Sequence, residues 1–79
     1  MEKHDLLREF PEHKIAIQRL RKESAVFNAK FDEYALLDEE IYRIEAGLEN
    51  TSDEYLNGLR LKRVHLKDEL YRQLQAWKP

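Results

Sequence analysis

The sequence predicts an all-α fold, an antiparallel helical hairpin of coiled-coil character with a short leading N-terminal helix. Three observations carry that expectation. Apolar side chains recur at alternating three- and four-residue steps through Tyr34, Leu37, Ile41, Ile44 and Leu48, and a second seam runs through Leu56, Leu59, Leu66, Leu70 and Trp77. Each spacing paints one narrow stripe on a helix, which a neighbouring helix must cover. Between the seams lies Asn50-Thr51-Ser52-Asp53-Glu54, a cluster of turn residues. The flanking arms also carry opposite charge. Seven carboxylates face one arginine from Asp32 to Glu49, whereas Arg60 to Lys78 holds six bases and two acids.

Bulk properties bound the rest. A chain of 79 residues makes one domain and buries only roughly 60% of its unfolded surface. It has no cysteine, so no disulfide or thiolate site can supplement the core. Association with another chain is the remaining way to enlarge it. Charged residues make up 38% of the sequence, yet the net charge is −2, which gives no general pull toward nucleic acid. The longest apolar run, Tyr34–Leu37, is far too short to span a membrane. Met1–Asp5 lacks the basic and apolar blocks of a signal peptide, so the expected location is the cytoplasm.

The elements follow in order. Met1–Phe10 contains Leu6, Leu7 and Phe10 without a strong cap and reads as a short or frayed turn. Pro11 opens a helix over about 11–22, because its ring suits the first turn; Glu12 favours the helix dipole there. Ile15, Ile17 and Leu20 give this helix one apolar edge. Ser24 reads as the N-cap of a long helix over about 24–49; Asn28 as cap, or plain continuation from the first helix, are the alternatives. Glu39 and Arg43 stand four apart, in the favourable order. In the turn at 50–52, Asn50 suits a left-handed conformation, and Thr51 with Glu54 matches a capping box. A second long helix over about 52–77 follows, weakened at Gly58.

Helices joined so tightly fold back on each other. Counted outward from the turn, Leu48 meets Leu56, Ile44 meets Leu59, Leu37 meets Leu66, Tyr34 meets Leu70 and Phe27 meets Trp77. At the rung of Ile41 the facing residue is Arg63, whose charge must reach Asp38 or Glu45.

Phe10-Pro11-Glu12-His13, Phe27, Phe31-Asp32-Glu33-Tyr34, Leu37-Asp38-Glu39-Glu40-Ile41, Arg43-Ile44-Glu45 and Leu66-Lys67-Asp68-Glu69-Leu70 occur in that order. Over roughly residues 10 to 74 the chain resembles the YdcH-like family of small bacterial proteins, a domain of unknown function. The resemblance implies a small soluble helical hairpin and transfers no activity, substrate or catalytic residue.

Residue chemistry points away from catalysis. His4, His13 and His65 lack the four-residue spacing of a zinc helix, and none pairs with a glutamate as a di-iron bundle requires. Neighbouring carboxylates such as Asp38-Glu39-Glu40 diverge by about 100° around a helix, so they form no acid–base dyad. No catalytic, cofactor-binding or metal-binding residue is therefore expected, and the chain reads as non-enzymatic. Asn50-Thr51-Ser52 fits a glycosylation pattern but is explained by turn chemistry.

Two surfaces remain. Arg60, Lys62, Arg63 and Lys67 form the most basic stretch, which either holds phosphates or faces the acidic arm. No aromatic residue interrupts it to stack a base. Leu6, Leu7, Phe10, Phe31 and Leu74 are apolar yet off the seam. Either the leading helix covers them, or they contact another chain. The expected function is protein–protein interaction, first with a second copy as a homodimer or higher oligomer, then with an unidentified protein partner. The alternative is a nucleic-acid accessory protein using the basic face of the last helix.

Overall fold

The computed structural model describes residues 6–78, apart from the side chain of Leu7. His4 and the Leu7 side chain, both singled out above, lie outside the described residues. Helix α1 spans Leu6–Glu9, a 3₁₀ turn Pro11–His13, α2 Lys14–Glu23, α3 Ala25–Glu45 and α4 Asp53–Ala76. There is no strand among the described residues. The arms α3 and α4 make the hairpin, and the leading segment folds back over its open end, giving a rod of 44 × 20 × 17 Å.

Local chemistry explains the boundaries. Pro11 starts the 3₁₀ turn, where its missing N–H costs nothing. Ser24 is extended, at φ −122° and ψ 110°, and separates α2 from α3. Its hydroxyl accepts the Phe27 N–H at 3.1 Å, so the serine caps α3 as its position in the sequence suggests. At the other end α3 stops four residues sooner than its expected end at Glu49. Gly47 takes φ 79°, its N–H bonds the Ile44 carbonyl at 3.1 Å, and the Leu48 N–H bonds Arg43 at 2.9 Å. This pair of bonds is a Schellman motif, and glycine adopts its left-handed residue without steric penalty.

That early stop corrects three readings of the turn. Gly47, not Asn50, takes the left-handed position, for no residue other than glycine among those described has positive φ. Leu48 leaves the seam and is 70% exposed, because the chain has already turned away from Leu56. The capping box of Thr51 and Glu54 gives way to Ser52, whose hydroxyl accepts the Tyr55 N–H at 3.1 Å.

The core is the stripe of α3 closed by the stripe of α4 and by the leading segment. Phe27, Ile41 and Leu70 are wholly buried, and Tyr34, Leu37 and Leu66 nearly so. Leu56, Leu59 and Trp77 pack partly buried against them, so the seam thins at both ends. From α2 the core receives Ala16 and Ile17, with Leu20 at its margin, while Ile15 is 68% exposed. Ile15 was expected on the apolar edge, but the helix turns its neighbour Ala16 inward instead, which allows close approach to the hairpin.

The two glycines should respond oppositely to substitution. A Cβ at Gly58 would meet nothing within 4 Å and would sit in a regular helix, so Gly58→Ala should stabilise by about 0.5–1 kcal/mol. Gly47→Ala forces a side chain into the left-handed region and should cost about 1–2 kcal/mol. Thermal melts should therefore separate the variants by more than about 5 °C in a domain of this size. Equal melting temperatures would show that Gly47 does not end α3.

Candidate functional site

The basic stretch of α4 is the first candidate, and helical spacing splits it between two edges. Tyr55, Lys62 and Glu69 stand seven apart on one edge; Arg60, Arg63 and Lys67 occupy the other. On the first edge, Tyr55 donates to Glu40 at 2.5 Å, Lys62 pairs with Glu33 at 3.3 Å, and Glu69 pairs with Lys30. On the second, Arg60 pairs with Glu45, Arg63 with Asp38 at 2.9 Å, and Lys67 with Glu9 at 3.0 Å. All four bases proposed as a phosphate-binding patch thus hold carboxylates of this chain. Arg43 joins the belt from α3, reaching Glu39 at 3.8 Å and Glu49 at 2.7 Å.

The Asp38–Arg63 pair differs from the others by its depth. Its side chains are 7% and 16% exposed, at the rung where the sequence places Arg63 opposite Ile41. Glu45, the other candidate acceptor, takes Arg60 instead. Elsewhere the belt is more open to water. The hydrogen bond and charge of Lys30 hold the Glu69 carboxyl below its ordinary value, and the bond to Glu40 raises the Tyr55 hydroxyl above its own.

The second candidate is the apolar set off the seam. The structure brings it together, within one chain. Leu6 is 1% exposed and Leu74 2% exposed, both inside the core, while Phe10 and Phe31 pack partly buried against it. Phe10 stacks on Tyr71 with ring centroids 4.8 Å apart, and His13 meets the same ring edge-on at 5.8 Å. Lys67 lies 5.7 Å from the Phe10 ring, so one side chain serves both a carboxylate and an aromatic face. Phe31 sits 6.2 Å from Phe27 beneath the Arg21 guanidinium. The leading segment is therefore clasped to α4 by Glu9, Phe10 and His13. His13 is occupied in this cluster and His65 is exposed on α4, so the two histidines are not brought together.

Sequence reasoning missed the aliphatic side chains that stay in water. Val26, Leu36 and Leu61 are each more than half exposed, and Val64 is 50% exposed. Leu61 and Val64 stand one helical turn apart inside the basic stretch, and that interleaving was the available signal. Reasoning also missed Arg21, which lines a shallow open groove with Gln18, Lys22 and Asn28 at the α2–α3 bend.

The model of a family described as "Protein of unknown function (DUF465)" matches residues 27–74. The chain belongs to this family. The DUF465 match takes in α3 from Phe27, the turn and α4 as far as Leu74, and so includes the seam apart from Trp77, the Asp38–Arg63 pair and most of the ionic belt. Glu9, Phe10, His13 and all of α2 precede it. No curated protein and no solved structure matches the chain.

Two outcomes follow from the belt. Arg63→Ala would leave Asp38 buried without its arginine and should cost about 3–5 kcal/mol in urea denaturation. Replacing both members, Asp38→Leu with Arg63→Met, should recover most of that loss. Simple addition of the two single losses would show that the pair is not coupled. At the surface, Glu69 is ionised more readily folded than unfolded. Its stabilisation is complete above the ordinary value of 4.5 and lost as pH falls through the lower folded value. Glu69→Gln should flatten this acid limb of the stability profile; an unchanged limb would remove the Lys30 contact as its cause.

Proposed function

We propose that this DUF465 protein is a non-enzymatic, cytoplasmic helical hairpin of YdcH-like type that works through protein–protein contact, first with a second copy of itself. The observation that carries this reading is the pairing of neutralised charge with exposed aliphatic surface. Phosphates need free cations, and here Arg60, Lys62, Arg63 and Lys67 each face a carboxylate. Protein partners need desolvated apolar contacts, and Ile15 on α2, Leu36 on α3 and Leu61 and Val64 on α4 are exposed to offer them. The groove at the α2–α3 bend is shallow and open, which suits no water-excluding chemistry. None of the described helices is long and apolar enough to cross a membrane. The YdcH-like assignment draws on the Leu66-Lys67-Asp68-Glu69-Leu70 segment inside the matched range and on Phe10-Pro11-Glu12-His13 before it.

Sedimentation equilibrium across the micromolar range should give a mass above the 9.6 kDa monomer while circular dichroism stays helical. A monomer throughout would remove self-pairing. A pull-down with the intact chain, with and without nuclease, addresses the rest. Recovery of a protein that survives nuclease supports the reading, and micromolar retention of duplex nucleic acid at physiological salt overturns it.

A further inference from the structure

We infer that the leading segment is an exchangeable arm: Ser24 straightens, α2 and α3 fuse into one helix over residues 14–45, and the arm docks on the hairpin of a second copy of this chain. The inference rests on the self-pairing proposed above and names its partner surface. It begins from the junction, where a single non-helical residue separates two helices. The helical ladder already reaches that residue from both sides. The Ser24 N–H bonds Leu20 at 2.9 Å, and the Asn28 N–H bonds the Ser24 carbonyl at 3.0 Å. Only the N–H groups of residues 25, 26 and 27 lack a ladder position, and the Ser24 hydroxyl serves the last of them. Rotation of one residue would offer all three the carbonyls of Arg21, Lys22 and Glu23. No glycine or proline lies between Pro11 and Gly47, so apart from the Ser24 cap no helix breaker opposes a continuous helix.

Beyond the core contacts of Leu6, Ala16 and Ile17, what holds the bend is local. Besides the cap, Arg21 clasps the first turns of α3. Its Nε donates to Asn28 Oδ1 at 3.1 Å, Nη2 lies 3.6 Å from Asp32, and the guanidinium covers the Phe31 ring at 4.3 Å. On a straight helix the eleven steps from Arg21 to Asp32 would span about 16 Å, so the ion pair exists only in the bent form. Its side chains are 45% and 58% exposed, which leaves the clasp screened by salt.

What the arm docks on is the same surface in either arrangement. Leu6, Ile17, Phe27, Leu70 and Leu74 close one core, and an arm swung away would leave them in water. Hence an opened chain needs a cover, and the arm of an identical chain fits every contact: Phe10 on Tyr71, His13 against the same ring, Glu9 to Lys67. The geometry closes as well. Glu9 contacts Lys67 while Phe10 and His13 contact Tyr71, so the arm runs with α4 and against α3. Two straightened chains crossing antiparallel near Ser24 each place their arm against the partner's α3 in that same sense, with two-fold symmetry.

Because the chain has no cysteine, single cysteines report the exchange. Glu9→Cys and Lys67→Cys chains are mixed, unfolded together, refolded and treated with a short bis-maleimide. A 9–67 cross-link between different chains forms only where one chain's arm lies on the other's hairpin, and that product is expected. Ser24→Ala removes two caps per exchanged pair and should strengthen association roughly ten- to thirtyfold. Two glycines inserted after Ser24 lengthen the bend and disfavour the fused helix, so this variant should stay folded and lose most of the cross-link. A dimer by sedimentation without the 9–67 product overturns the exchange and leaves self-pairing standing. A monomer in every variant, Ser24→Ala included, overturns both, and a cross-link undiminished by the inserted glycines overturns the fused helix.

Discussion

The Asp38–Arg63 pair is the constraint on which the hairpin's register depends. Two aliphatic stripes can slide past one another by a turn at little cost, since leucine meets leucine again. Here one rung carries a buried carboxylate and, across from it, a guanidinium that reaches it at 2.9 Å. Sliding α4 by one turn would part Arg63 from Asp38 and set the more exposed Arg60 or Lys67 of the same edge in its place, and breaking a buried pair costs several kcal/mol. The pair adds little net stability compared with a leucine, but it makes one alignment far better than its neighbours. The Schellman turn at Gly47 and the cap at Ser52 then act in the same direction, fixing the length of the connection.

Around that register the surface charges arrange themselves as two rails. One edge of α4 holds Lys62 and Glu69, the other Arg60 and Lys67, and each finds an opposite sign on α3 or the leading segment. Exposed pairs contribute only about 0–1 kcal/mol each, so their effect is selective more than stabilising. They neutralise the face that would otherwise attract phosphates. They also leave Leu61 and Val64 as exposed aliphatic side chains of α4.

A thin hairpin still needs a third wall, and the leading segment supplies it over one half of the rod. Leu6, Ala16 and Ile17 close the core next to Phe27, Leu70 and Leu74, toward the open end. Nearer the turn, Leu56 and Leu59 stay partly exposed because no third element reaches them. The wall is attached by a bend of one residue and clasped by aromatic stacking, so its attachment is concentrated in few contacts. The family match begins at Phe27, just past that bend.

The sequence by itself determined the arms, the capping serine at position 24 and the antiparallel hairpin whose core takes in Tyr34, Leu37, Leu66 and Leu70. Those features depend on period, caps and the shortness of the turn, all of them local. It also named Asp38 as one of two acceptors for Arg63. The end of α3 was legible too, in Gly47, but Asn50 and Thr51 offered a competing turn signal of similar strength. Only the tertiary structure decided which face of α2 turns inward, why Ala16 displaces Ile15, and whether Leu6 and Leu74 belong to the core. Those answers depend on how closely a third helix approaches two others, and that distance is set by side chains far apart in the chain. The same holds for the bases of α4. A run of positive residues reads identically whether it waits for a phosphate or faces Glu9, Glu33, Asp38 and Glu45, because the carboxylates that neutralise it arrive only when the chain folds.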